Sequence, residues 1–157
     1  KYNSLDIGIL LRRWLYRPFF KHIGRNARIK DGVTFKYPSE ISLGDNVNIG
    51  EYSYLVGRGG LVIGDNLLMG AGSKIITSDH VATLTSKPIN AQGLSFKAIT
   101  LGNDLWLGFD VKIFQGVIVG DGVIIAAGSV VTKDTVIPDY SVFGGIPARL
   151  IKTRPRA

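Results

Sequence analysis

Apolar residues recur at every sixth position through most of the chain, if two small insertions and one large one are allowed. The series runs Ile23, Ile29, Phe35, then Leu43, Ile49, Leu55, then Ile63, Met69, Ile75. It resumes at Leu101, Leu107, Ile113, Val119, Ile125, Val131, Ile137 and Phe143. An amphipathic helix repeats near 3.6 residues and a half-buried strand repeats at 2, so neither gives this period. A polygonal coil with six residues per side does. The pattern therefore predicts a solenoid, and it marks residues 77–98 as the one large departure from it.

A second small or aliphatic residue stands two positions before many of these: Ala27, Val33, Val47, Val111 and Ser129. Alternation places both members of such a pair on the inner side of a short strand. Turn formers follow the strands. Gly-Asp-Asn at 44–46 and 64–66, Gly-Asn-Asp at 102–104, Gly-Asp-Gly at 120–122 and Pro-Asp-Tyr at 138–140 form one class of corner. Positions 102, 120 and 138 are spaced by 18, which is three sides of six residues, so each coil is triangular and the coils stack. Stacking pairs parallel strands, which suits the abundance of Val and Ile. The end coils would expose core and strand edges unless capped. Residues 3–17 read as a helix with Asn3 or Ser4 as N-cap, an apolar stripe of Leu5, Ile9, Leu11, Trp14 and Leu15, and Pro18 as terminator. The preferred reading is a cap over the first coil. The second is an interfacial helix with Trp14 and Tyr16 at headgroup level.

Composition narrows the chemistry. The 157 residues suffice for one domain with a real core. No cysteine is present, which excludes disulfides and thiolate metal sites and suits a cytoplasmic location. No apolar run approaches the roughly 20 residues needed to cross a bilayer, and Arg12 and Arg13 make residues 5–20 too charged for a secretory signal. The net charge of +7 collects at the two ends, in Arg12, Arg13, Arg17, Lys21, Arg25, Arg28 and Lys30, then Arg149, Lys152, Arg154 and Arg156. Phosphate groups and anionic membrane are the partners this suggests. Nucleic acid is disfavoured, because no recognition helix or interleaved aromatic platform accompanies the charge.

The long interruption is where function is expected, since loops of this length inside a compact repeat are usually functional or disordered. His80 opens it and is one of only two histidines. An imidazole, ordinarily titrating at roughly 6.5, suits removal of a proton from a hydroxyl near neutrality. Asp79 precedes it directly and would diverge from it in an extended segment, so the two are not paired as a dyad. No nucleophile spacing indicates a covalent acyl-enzyme, and two histidines without cysteine do not define a zinc site.

Three segments extend the picture: Asp104-Leu-Trp-Leu-Gly108, Ile125-Ala-Ala-Gly-Ser-Val-Val-Thr-Lys-Asp134 and Gly144-Gly-Ile-Pro-Ala-Arg-Leu-Ile-Lys152. With the repeat over residues 23–152, they resemble the hexapeptide-repeat acyltransferases, closest to saccharide and polysaccharide O-acetyltransferases. Lys87-Pro-Ile-Asn-Ala-Gln-Gly93 is similar to members acting in capsule, exopolysaccharide or O-antigen assembly. The resemblance implies an all-β, left-handed parallel β-helix; that hand comes from the resemblance alone, since sequence physics favours right-handed crossovers. It also implies acetyl-CoA as acyl donor, no metal, and a homotrimer with active sites between subunits. Carried over by position, His80 matches the catalytic base and the Phe109 backbone N–H the oxyanion donor. Trp106 matches the tryptophan beside acceptor and thioester, and Ala127 the backbone meeting the pantetheine arm. Thr132 and Lys133 match CoA contacts, with Arg149 and Lys152 as candidates for the nucleotide phosphates. The bulky Phe109 departs from the small residue common there, and Gly50 and Arg58 replace sugar-contacting Asn and Asp of some relatives.

The expected organisation is a helical segment at 1–22, a β-helix at 23–144 with protruding loop 77–98, and a basic tail at 145–157. The expected activity is acetyl transfer from acetyl-CoA to a hydroxyl of a sugar or polysaccharide precursor. Attack is direct, in a ternary complex, with His80 as general base. The expected location is the cytoplasm, with peripheral contact at the inner membrane face if the N-terminal helix is interfacial. The alternatives weighed are N-acetylation of an amino sugar or nucleotide-linked amino sugar, and a non-catalytic β-helix scaffold. Metal-dependent hydration on the same fold needs three histidine ligands and is discarded, because the chain has two.

Overall fold

A computed structural model describes residues 5–155. One short helix, Leu5–Tyr16, precedes a parallel β-solenoid of six coils whose strands fall into three sheets, one per face. The first face contains His22–Ile23, Ile41–Leu43, Leu61–Ile63, Ile99–Leu101, Ile118–Val119 and Val136–Ile137. On the second face lie Arg28–Ile29, Asn48–Ile49, Leu67–Met69, Leu105–Leu107, Ile124–Ile125 and Ser141–Gly145. Thr34–Lys36, Tyr54–Val56, Lys74–Ile76, Lys112–Phe114 and Val130–Val131 make the third. The period predicted this arrangement, and the long interruption returns in register: Ile99 pairs with Leu61 and Leu101 with Ile63.

Side chains alternate as six-residue sides require. Leu105 and Leu107 are buried while Trp106 between them is exposed; Leu67, Leu68 and Met69 repeat the alternation one coil earlier. The axis is filled by Ile29, Leu43, Ile49, Leu55, Ile75, Leu107, Ile125 and their neighbours, all nearly inaccessible. The small inner positions Ala27, Val47, Val111 and Ser129 are buried too. A buried Ser73 is satisfied, its Oγ donating to Gly108 O and accepting from Val111 N–H, both at 3.1 Å.

The corner from first to second face explains its Asp and Asn. The N–H of Arg25 donates to Asp45, Asp45 to Asp65, Asp65 to Asn103, Asn103 to Asp121 and Asp121 to Asp139, at 2.6–2.9 Å. Each carboxylate or amide thus satisfies the corner amide of the coil before it, where the turn leaves a donor without a strand partner.

The helix caps the first coil, through Ile9 of the expected stripe but not through Leu11, Trp14 and Leu15. Ile9 is buried, and the Tyr16, Phe20 and Phe35 rings meet at centroid distances of 4.8–6.4 Å. Arg12 donates to Ile29 O at 2.9 Å and pairs with Asp31. Leu11, Trp14 and Leu15 face outward. At 100° per residue they lie opposite Ile9 and Tyr16, so one helix carries two apolar faces. The expected Asn3 or Ser4 cap lies outside the described residues. At the other end the segment expected as a tail forms a strand, Ala148–Thr153, antiparallel to Ser141–Gly145. It covers an edge that the last coil would leave open.

Candidate active site

All three insertions fall at the corner between third and first faces. The first holds Tyr37 in the left-handed region and a short 3-10 turn, Pro38–Glu40. The second is Gly57 to Gly60, and the third is the long excursion between Ile76 and Ile99. That excursion is rooted in an antiparallel ribbon, Ser78–His80 against Leu94–Phe96, pairing Ser78 with Phe96, Asp79 with Ser95 and His80 with Leu94. Its distal part is tied by Gln92, whose side chain accepts from Leu84 N–H and donates to the carbonyls of Leu84 and Lys87, at 2.7–2.9 Å.

Several contacts fix the ribbon on the solenoid. The Arg58 guanidinium lies between two rings, 5.2 Å from the centroid of Tyr37 and 4.6 Å from that of Phe96, a cation–π stack that joins all three insertions. The buried Gln115 donates through Nε2 to Ser95 Oγ at 2.8 Å, while its Oε1 has no partner. Lys97 pairs with Asp134 at 2.8 Å. Thr77, buried at the root, accepts from Gly59 N–H and donates to Val56 O. No pattern in the chain signals this support beyond a lone arginine among glycines. The charge of Arg58, at a position where some relatives carry a sugar-contacting residue, is spread over two aromatic faces.

His80 is exposed on this ribbon. Its backbone N–H donates to Asp79 Oδ1 at 2.8 Å, so the carboxylate serves the chain and not the imidazole, and no dyad forms.

The corner between second and third faces differs from the Asp-lined one. Its middle positions in coils three to five are Ala71, Phe109 and Ala127. None offers a side-chain acceptor to the coil before it, and neither does Gly145, which stands one coil beyond Ala127. Among the described residues, the N–H groups of Ala71, Phe109 and Ala127 accordingly have no acceptor. Phe109 and Ala127 are exposed, and Trp106 stands outward three residues before Phe109. A column of undonated amides beside an indole can bind a chain of carbonyl groups or a developing oxyanion. The sequence reading picked out Phe109 and Ala127 and missed Ala71; the signal was an absence of Asp or Asn.

The remaining residues lie elsewhere. Thr132 and Lys133 are exposed at the corner between third and first faces, in the same turn as Asp134, which pairs with Lys97 of the ribbon's root. Arg149 and Lys152 are exposed on the closing strand, opposite Gly144 and Val142. Within one chain, therefore, His80 and the Trp106–Phe109 segment belong to different corners of the triangle. Near the second corner Asp110 sits between Lys112 at 2.8 Å and Lys74 at 3.3 Å, and the hydrogen bonds from these ammonium groups hold its carboxyl below the usual range. Among the described residues no group of three or more His, Asp or Glu is placed to hold a metal ion.

Comparison with known proteins agrees with the architecture. The family model "Hexapeptide repeat of succinyl-transferase" matches residues 40–75 and 99–133, on either side of the excursion. Galactoside O-acetyltransferase of Escherichia coli K12 is 36% identical over 141 residues, covering 90% of this chain and 68% of the relative. A relative from Mycobacterium tuberculosis is 32% identical over 133 residues, but the chain spans only 44% of its length. Among solved structures, a hexapeptide-repeat acetyltransferase of Vibrio cholerae complexed with acetyl-CoA superposes with a TM-score of 0.85 at 28% identity, covering 98% of this chain and 81% of that one.

Proposed function

The chain belongs to the hexapeptide-repeat acetyltransferase family, and we propose that it transfers an acetyl group from acetyl-CoA to a hydroxyl of a saccharide or polysaccharide precursor. The observation that carries this reading is the pairing of two features outside the regular solenoid bonding. One is an exposed imidazole on a braced ribbon; the other is a run of corner amides without acceptors beside Trp106. The sugar acceptor rests on the kinship with a galactoside O-acetyltransferase.

The thioester supplies an activated acyl group, and the residues do the rest. His80 takes the proton of the acceptor hydroxyl as its oxygen attacks the acyl carbon. Phe109 N–H donates to the oxygen on which negative charge develops, an interaction worth about 3 kcal/mol in comparable sites. The carbon–sulfur bond breaks, and the proton held by His80 goes to the departing thiolate. Trp106 and Ala127 line the path of the pantetheine arm, Thr132 and Lys133 extend it, and Arg149 and Lys152 meet the nucleotide phosphates. In this reading the complete site forms between subunits of a trimer, with the ribbon of one chain laid against the amide corner of the next; the placement of His80 and Phe109 at different corners supports it.

His80→Ala tests this directly. Acetyl transfer to saccharides should fall by about 10²–10⁴-fold, while calorimetric binding of CoA and the thermal midpoint stay as in the unmodified protein. Turnover at the original rate would remove His80 as the base. Matched hydroxyl and amino sugars in the same assay decide between O- and N-transfer.

A further inference from the structure

We propose that the N-terminal end of the solenoid docks on an anionic lipid bilayer through the outer face of its capping helix. Ile7, Leu11, Trp14 and Leu15 occupy a continuous outward stripe about 100° wide on the helix, and Phe19 follows just beyond its end. Each of the five is more than half exposed, Trp14 reaching 73%. A surface helix ordinarily turns polar residues outward. This one already spends Ile9, Arg12 and Tyr16 on the solenoid, so the outer stripe is not needed for capping.

The stripe adjoins a largely apolar groove of about 370 Å³ lined by Tyr16, Phe19, Phe20, Val33, Phe35 and Pro38, with Thr34 as its polar member. No candidate active-site residue lines it, so the groove is separate from the acetyl-transfer chemistry. Phe19 belongs to both surfaces. Together they offer an indole and a phenyl ring to the interface, with space behind for an acyl chain.

Charge identifies the occupant. Arg13, Arg17 and Lys21 stand on and just after the helix and form no ion pair among the described residues. Other basic residues of this end are engaged, Arg12 with Asp31, Arg25 with Asp45 and Lys30 with Glu51. Apolar side chains flanked by unpaired cations fit lipid tails below phosphate headgroups. A second copy of the same face would instead bring like charges together. No described helix is long and apolar enough to cross a membrane, so the contact is peripheral.

Co-sedimentation of the full chain with lipid vesicles tests the proposal, independently of acetyl transfer. It should pellet with vesicles of phosphatidylcholine and phosphatidylglycerol at roughly 7:3 and remain in the supernatant with phosphatidylcholine alone. Leu11→Ser with Trp14→Ser, or Arg17→Glu with Lys21→Glu, should each weaken binding about tenfold or more. Both double variants should keep the thermal midpoint and the rate on a soluble acceptor, since none of the four side chains packs on the core. The proposal is overturned by absence of binding to the anionic vesicles, or by equal binding to both compositions. It is equally overturned if the Leu11→Ser, Trp14→Ser protein pellets like the original. A change in that variant's oligomeric mass, without vesicle binding by the original, would assign the stripe to a subunit contact.

Discussion

Gly70→Ala links the packing of the coils to the proposed chemistry. A Cβ at residue 70 would lie 2.6 Å from the carbonyl carbon and oxygen of Gly108 and from the nitrogen of Phe109. All three are backbone atoms of the next coil, so no side chain can rotate away. Relief to an ordinary contact of about 3.5 Å requires roughly 0.9 Å of opening between coils. That opening strains the bond from Gly70 N–H to Leu107 O, now 2.8 Å. Overpacking of this kind costs about 1–3 kcal/mol, or a thermal midpoint lowered by about 2–12 °C for a chain of this size. The same movement carries the Phe109 amide off its position. Complete loss of one oxyanion donor lowers kcat by about 10²–10³-fold, so partial displacement should lower it about tenfold or more. Gly72→Ala is the control: nothing lies within 4 Å of its Cβ, and only its φ of +73° resists the change. It should lose about 1–2 kcal/mol and keep kcat. The measurements are thermal unfolding and steady-state acetyl transfer for both variants. An unchanged midpoint for Gly70→Ala would refute the packing argument, and a lowered midpoint with unchanged kcat would refute the role of Phe109.

Arg58→Ala and Gln115→Ala should each lower kcat several-fold while leaving KM for acetyl-CoA nearly unchanged, because both side chains brace the ribbon that carries His80. Arg58→Lys should not restore the rate, since an ammonium cannot stack as a plane between Tyr37 and Phe96; full restoration by lysine would show that charge alone matters. Acid should destabilise the fold in a defined window. Asp45 is held below its ordinary pKa by the Arg25 hydrogen bond, Asp110 by Lys112 and then Lys74, and Glu51 by a bond to its own backbone and then Lys30. The unfolded chain takes up protons on these groups first, so their contribution is full above about pH 5 and is lost progressively from about pH 4 downward, as pH falls through the lowered folded values. Melting curves from pH 7 to 3 check this, and Asp110→Asn should remove part of the dependence. A midpoint that fell between pH 5 and 7 would have to come from other groups.

The six-residue period led directly to three faces and a filled axis because every coil buries the same positions. The Asp and Asn corners were equally readable, since a repeated side-chain acceptor leaves a repeated letter. The ribbon was visible only as a break in that period. Its bracing by Arg58, Gln115 and Lys97 was not, because their partners lie 20 to 38 residues away and share no pattern with them. The helix shows the same limit. Its apolar residues pointed to a cap, but sequence alone could not say which of two opposite faces would meet the solenoid.

For this protein, then, sequence by itself determined the repeat, the corner chemistry and the family, all of which depend on contacts that recur at fixed spacing. Tertiary structure decided which amides remain without acceptors, where the ribbon is anchored, and that His80 and Phe109 stand at different corners. Those facts depend on what the neighbouring coil does or does not supply. A missing acceptor at Ala71, Phe109 or Ala127 leaves no residue to read; it becomes visible only when one coil is stacked on the next.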